Sequence, residues 1–245
     1  MKITSVHNDK VKYWCNLKVK KFRDKERKFL VEGDHLINEA IKNNLVVETI
    51  SCVNENADYF ITKEIMEKIS EQKSISYDMA VVKFIPEDSI NGNIMMLDNL
   101  QDPGNLGTII RSAVAFKINT IIISDDSVDL YNPKVVRATE GMIFNLNIIR
   151  RNLTEVIPIL KRQGYKIVGT LVNDGKDIKD IDKNNICVVI GNEGNGIKEE
   201  TKDMCDEFTN IKISDNCESL NAGVAASIIM YEVNHEWNDI NWKNS

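Results

Sequence analysis

The chain has no long apolar run. Stretches such as 121–123, 187–190 and 225–230 fall far short of the roughly 20 residues that span a bilayer, so no membrane association is expected. The start, Met1-Lys2-Ile3-Thr4-Ser5-Val6-His7-Asn8, turns polar at once and offers no apolar core for a secretory signal. Cysteine spacing is uninformative in a useful way. Cys15, Cys52, Cys187, Cys205 and Cys217 are odd in number, scattered and never arranged as CxxC. That argues against a zinc site or a disulfide frame and points to a reducing cytoplasm. Histidine is scarce: His7, His35 and His235 stand far apart, which argues against a metal hydrolase. Positive charge is also lacking overall. The net charge of −6 argues against a passively sticky nucleic-acid binder.

The charge that is present lies unevenly. Residues 1–30 carry ten Lys and Arg against Asp9, Asp24 and Glu26, a local +7, and the remainder sums to −13. Wound as one helix over 9–28, Lys12, Asn16, Lys20, Arg23 and Arg27 line one face. Val11, Cys15 and Phe22, flanked by Trp14, line the other. A one-sided cationic stripe suits a phosphate backbone; a solvated amphipathic surface is the competing reading.

At 245 residues, 42% of them hydrophobic and 28% charged, the chain is long enough for two domains, each with its own core. The turn-rich stretch 86–93 reads as a linker, giving a domain over 1–88 and another over 94–245. The first combines the basic helix, a helix at 34–43, a strand at 45–53 and short amphipathic pieces at 63–69 and 78–84. The second alternates. Strands are expected at 94–97, 119–123, 145–149, 165–171, 186–190 and 208–213, and helices near 105–116, 132–138, 153–163, 197–203 and 219–234. That rhythm predicts a mostly parallel α/β sheet covered on both faces. The tail 237–245 is polar and expected to be loosely held.

In such sheets ligands gather at the carboxyl ends of the strands, which directs attention to three loops. The first runs from an apolar strand through Asp98 to Gly104 into a helix, and such a turn exposes helix-start amides to a ligand. On that helix Arg111 shares its face with the small Gly104, Gly107, Thr108 and Ala115, opposite Leu106, Ile109, Ile110 and Ala113. It is either an ordinary βα unit with a solvated arginine or a cation poised to meet something large. The second loop is Gly191-Asn192-Glu193-Gly194-Asn195-Gly196. Its G-x-x-G-x-G spacing is not a dinucleotide fingerprint, and Glu193 suits a hydroxyl, an amine or a sulfonium better than a phosphate. The third is Ser219-Leu220-Asn221, where Ser219 is the expected N-cap of a helix apolar nearly all round and therefore expected to be buried. Its small residues permit close helix approach, including across a dimer.

Together these clusters resemble the SpoU (TrmH-like) family of RNA 2′-O-ribose methyltransferases, in the SPOUT superfamily. The signatures are Asp102-Pro103-Gly104-Asn105-Leu106-Gly107 through Arg111, then Ile190 through Gly196, then Ser219-Leu220-Asn221. An intermediate match is Asn132-Pro133-Lys134-Val135-Val136-Arg137-Ala138-Thr139-Glu140-Gly141. The first domain, with Glu32-Gly33 and the basic helix, resembles the small substrate-binding domain many members carry. Lys212 and Gly223 depart from the family's common proline and serine.

The resemblance implies a catalytic domain with a trefoil knot, a homodimer, and S-adenosylmethionine as cofactor. Thr170, Gly191, Asn192, Gly196, Ile211 and Leu220 would meet the cofactor. Arg111 would be the leading catalytic residue, with Asn105, Glu193, Ser219 and Asn221 placing it and the ribose. Because a guanidinium stays protonated, Arg111 is expected to bind the adjacent phosphate and stabilise the developing alkoxide; a proton-acceptor role would require it to lose its proton. Lys12, Lys20, Arg23, Arg27 and Arg137 are the expected RNA contacts. The substrate would be structured RNA, ribosomal RNA ahead of tRNA, with a non-catalytic RNA-binding protein on the same scaffold as the rival. A nucleotide-dependent dehydrogenase is disfavoured by the loop spacing and by Glu193.

Overall fold

The computed structural model describes residues 1–72 and 76–234. In chain order the first elements are β1 (Lys2–Ile3), α1 (Asp9–Asn16), α2 (Lys20–Glu26), β2 (Lys28–Glu32), α3 (Asp34–Lys42), β3 (Val46–Ser51), β4 (Tyr59–Ile61), α4 (Lys63–Ile69) and β5 (Asp78–Lys83). There follow β6 (Ile94–Leu97), α5 (Pro103–Ala115), β7 (Thr120–Ser124), α6 (Pro133–Ala138), β8 (Asn147–Arg151) and α7 (Leu153–Arg162). The last are β9 (Lys166–Thr170), β10 (Ile186–Ile190), α8 (Glu199–Lys202), β11 (Glu207–Thr209) and α9 (Ala222–Val233). They form two compact units. One is Met1–Pro86 together with Asp129–Asn145; the other is Glu87–Val128 together with the chain from Leu146 onward.

The first unit is built on a mixed sheet of order β1-β4-β3-β5-β2. Val11 and Trp14 of α1 and Ile65, Met66 and Ile69 of α4 share a core with Ile50, Met79 and Val81. The basic segment is not one helix over 9–28. Helix α1 stops at Asn16, Leu17 sinks into the core, α2 begins at Lys20, and Arg27 turns left-handed at φ 54° so that Lys28 can start β2. Residues 28–32 are needed as a strand paired to β5, so the stripe expected from helical winding is broken. Arg23, expected to face RNA, is only 3% exposed. It donates to the carbonyls of Leu17 (3.0 Å) and Lys18 (2.5 Å) and to the Asp129 carboxylate (2.6 Å). A guanidinium that bonds the carbonyls left open where two helices break is holding the break together.

The segment Asp129–Asn145 is an excursion from the second half of the chain that packs with the first unit. The ring of Tyr131 stacks on Phe84 with centroids 3.8 Å apart and leans on Phe29 at 4.7 Å. Its hydroxyl accepts from the Ile85 amide at 2.9 Å. Phe144 closes the cluster against Phe29. Such aromatic pairs add roughly 0.5–1.5 kcal/mol each beyond their area burial.

The second unit carries a six-stranded parallel sheet of order β11-β9-β10-β6-β7-β8. Every residue of β6, β7 and β10 is buried, as a parallel sheet covered on both faces requires. The mostly parallel α/β class expected for this part of the chain is therefore observed. Two expectations are corrected. The last strand ends at Thr209, and residues 210–213 leave the sheet. Helix α9 is buried only where it meets its neighbours, through Ala222, Ala226, Ile229, Met230 and Val233. Val224, Ile228 and Tyr231 are 46%, 37% and 47% exposed, because α5 covers one side of α9 only. The two helices approach closely: a Cβ on Gly223 would lie 3.3 Å from Thr108, and the Ser112 and Ser227 hydroxyls are 2.7 Å apart. The tail 237–245 lies outside the described residues.

Removing one partner of a buried ion pair strands the other charge, at a cost of about 3–5 kcal/mol. Asp129→Ala is therefore expected to destabilise the first unit by that order, read as a lower urea midpoint.

Candidate active site

Three loops at the carboxyl ends of β6 and β10 and at the start of α9 converge in the second unit. After β6, Asp98 is buried and accepts from the Lys198 amide at 2.9 Å. Asn99 takes a left-handed φ of 56°. Asp102 then caps α5, accepting from the Asn105 amide at 2.8 Å, with Pro103 in the first turn. A cap carboxylate followed by proline is a strong helix start, and it fixes where Asn105 points.

The loop after β10 closes on itself. Asn192 and Gly196 exchange backbone hydrogen bonds of 2.9 and 3.0 Å, and the Asn192 side chain accepts from the amides of Gly194 (2.9 Å) and Asn195 (3.1 Å). Its other end donates to the Asn99 carbonyl at 2.9 Å. A Cβ at position 191 would lie 2.2 Å from the Gly196 backbone, so only glycine fits there. At the third loop the cap of α9 is Asn221, whose Oδ1 accepts from the amides of Gly223 (2.9 Å) and Val224 (3.2 Å). Ser219, expected as the cap, lies two residues short of it and is exposed.

These loops are joined by side chains. Asn221 donates through Nδ2 to Asn105 Oδ1 at 2.8 Å, and Asn105 donates through its own Nδ2 to Glu193 Oε1 at 2.9 Å. Glu193 also accepts from the amides of Asp102 (3.2 Å) and Gln101 (3.4 Å) and from Asn192 Nδ2 (3.4 Å). Burial would push the Glu193 carboxyl up; the Asn105 amide and the backbone amides of Glu193 itself, Asp102 and Gln101 together outweigh it and hold it below the usual carboxylate value.

A cavity of about 400 Å³ opens beside this chain of bonds. Thr170, Gly191, Asn192, Gly196, Ile211 and Leu220 all line it, as do Glu193 and Ser219. The chain at 210–213 that leaves the sheet supplies Asn210, Ile211 and Ile213 to its wall. Sequence reasoning missed Glu199 and Lys202, an ion pair at 3.3 Å that also lines the cavity; α8 is short and acidic, and nothing in its spacing marks it as a wall. Arg111 stands apart from the cavity, exposed on α5, with no hydrogen bond or ion pair among the described residues.

The expected RNA contacts lie in the first unit. Lys12 pairs with Asp9 at 2.8 Å, Lys20 with Asp24 at 2.6 Å, and both are exposed. Arg27 lies over the Phe84 ring at 4.6 Å, and Arg137 is half-buried in the last turn of α6. Arg23 is removed from this set by its burial.

A parallel α/β unit with a cavity walled by loops beyond the strand ends, and a carboxylate at its edge, is a small-molecule-binding domain of the α/β class. Comparison with known proteins narrows this. The model of the SpoU rRNA Methylase family matches residues 92–231, and that of the MRM3-like substrate binding domain matches residues 8–77. A protein of Bacillus subtilis (strain 168) named 23S rRNA (guanosine(2553)-2′-O)-methyltransferase RlmP is 32% identical, over 94% of this chain and 98% of its own. The AdoMet-bound rRNA methyltransferase of Sinorhizobium meliloti superposes with a TM-score of 0.87 at 24% identity, covering 96% of this chain and 98% of that one. A TrmH-family putative RNA methyltransferase of Porphyromonas gingivalis gives 0.84 at 26%, covering 95% and 99%. The chain belongs to the SpoU rRNA methylase family.

Since the folded Glu193 carboxyl lies below its unfolded value, its contribution to stability is present at neutral pH and lost as pH falls through the lowered value. Glu193→Gln is expected to melt below the wild type at pH 7, the gap closing below about pH 4 in calorimetric scans.

Proposed function

We infer that this protein transfers a methyl group from S-adenosylmethionine to a ribose 2′-hydroxyl of ribosomal RNA. The observation that carries the reading is the Asn221–Asn105–Glu193 chain of hydrogen bonds at the edge of the 400 Å³ cavity. The cavity fits the cofactor chemically. Ile190, Ile211, Leu220 and Ile229 offer an apolar wall for a purine, the 191–196 backbone comes close, and the Glu193 carboxylate complements a cation. When bound, S-adenosylmethionine supplies a sulfonium-activated methyl carbon. Thr170, Gly191, Asn192, Gly196, Ile211 and Leu220 would hold it.

Asn105, held at both ends of its amide, fixes the Glu193 carboxylate toward the cavity, and Asn221 sets which way that amide faces. Ser219, exposed on the cavity wall, would bond the ribose. Arg111, whose fork of donors suits phosphate and developing alkoxide alike, stands apart from its own chain's cavity, so in the homodimer of this reading it would bind the RNA phosphate and stabilise the ribose oxygen at the site of the second copy. Lys12, Lys20, Arg27 and Arg137 supply further phosphate contacts from the first unit. The apolar stripe Val224, Ile228 and Tyr231 on α9 supports a homodimer. The expected trefoil knot belongs to the same reading. No helix among the described residues is long and apolar enough to cross a membrane. Action on ribosomal RNA would set the protein to work in the cytoplasm. The 23S rRNA substrate printed in the name of the Bacillus relative makes large-subunit RNA the first to test.

Arg111→Lys is expected to lower kcat about 10²–10³-fold, as loss of a transition-state donor does, with S-adenosylmethionine affinity kept; near-normal turnover sinks the role. Gly191→Ala is expected to weaken S-adenosylmethionine binding by about tenfold or more, near 1.4 kcal/mol, measured by isothermal titration. Mapping 2′-O-methyl groups on ribosomal RNA treated with the purified protein tests the reaction itself.

A further inference from the structure

We propose that Arg150, a residue of β8 far from the cavity in sequence, is a positioning residue for the active-site turn at 98–102, acting through the turn at 124–128. The turnover part of its test rests on the methyltransferase reading; the structural part does not.

Arg150 grips four carbonyls of a single turn. Nη1 donates to Ser124 (2.6 Å), Asp125 (3.1 Å) and Ser127 (3.0 Å), and Nη2 donates to Val128 (2.6 Å). Backbone carbonyls that converge in this way repel one another and need a donor between them. A guanidinium, planar with five donors in a fixed fork, can serve all four; an ammonium is a point.

With its carbonyls gathered inward, the turn presents its hydroxyls and amides to the neighbouring one. Ser124 Oγ accepts from the Asn99 amide at 2.8 Å, and Ser127 Oγ accepts from the Leu100 amide at 3.0 Å. The two hydroxyls are 2.7 Å apart, and Ser124 donates to Asp126 at 2.7 Å. The Val128 amide donates to the Leu100 carbonyl at 2.8 Å, and Gln101 Nε2 to the Asp126 carbonyl at 2.8 Å. Asn99, Leu100 and Gln101 are thus each tied to the turn that Arg150 holds. The next bonds along are those from the Gln101 and Asp102 amides to Glu193 and from the Asn105 amide to Asp102. The strand order β6-β7-β8 explains the reach: the turn after β7 lies between Arg150 and the turn after β6.

The test uses Arg150→Lys and Ser127→Ala in the full-length protein at a temperature below melting. Hydrogen–deuterium exchange over 98–102, S-adenosylmethionine titration and kcat and KM on ribosomal RNA are compared with the wild type. Both variants are expected to exchange faster over 98–102 and to lose kcat by about ten- to a hundredfold, as small misplacements of reacting groups do. KM should move less than threefold, and S-adenosylmethionine affinity should fall by a smaller factor than kcat, since the Asn99 carbonyl also holds Asn192. Free guanidinium added to Arg150→Ala should restore part of the lost turnover. Unchanged exchange over 98–102 in Arg150→Lys overturns the proposal, and so does faster exchange with kcat intact. A wild-type protein that methylates no ribosomal RNA overturns the function instead, and the exchange comparison then decides the role of Arg150 alone.

Discussion

The site depends on how one side-chain amide is oriented. Asn105 receives a bond at its oxygen from Asn221 and gives one from its nitrogen to Glu193, so its two ends are not interchangeable. A carboxylate partner can only accept, which forces the nitrogen toward Glu193 and leaves the oxygen for Asn221. The backbone amides of Gly223 and Val224 demand the oxygen of Asn221 and leave its nitrogen for Asn105, so both ends of the series impose the same sense. The bond to the Glu193 carboxylate, across 88 residues of sequence, is worth about 1.5–3 kcal/mol net, and the neutral amide bond across 116 residues about 0.5–1.5 kcal/mol.

The elements of the parallel sheet were legible because each buried strand is a short apolar run ended by turn formers. The strands expected at 94–97 and 186–190 match those observed residue for residue. The cavity was legible only in pieces. Glycine and asparagine in the 191–196 loop signalled a close backbone approach, and the clash a Cβ would make at position 191 is the physical content of that signal. The Asn221–Asn105 bond was not readable, since each residue is by itself an ordinary cap or first-turn residue. The same holds for Glu199 and Lys202, whose place in the wall depends on where the chain at 210–213 goes once it leaves the sheet.

Arg23 shows why charge patterning misleads. Helical winding places it in line with Lys12 and Lys20, yet the chain breaks at Leu17 because that side chain and residues 28–32 are wanted by the core and the sheet. Once the break exists, its open carbonyls need a donor, and the nearest long cation supplies it. A surface lysine could not have done so with the same geometry. Arg150 is a second case, an arginine committed to backbone carbonyls, and neither residue stands out from other basic residues until the acceptors around it are known.

The excursion Asp129–Asn145 has a consequence for how such proteins can recombine. Its Tyr131 and Phe144 complete the aromatic cluster around Phe29 and Phe84, and its Asp129 neutralises Arg23. A genetic exchange at residue 86 would give the methylase half a new N-terminal partner while leaving these residues behind. The incoming module would have to offer its own aromatic seat and its own buried cation at matching positions. The two units are therefore heritable as a pair, and the junction between them is a poor crossover point although it reads as a linker.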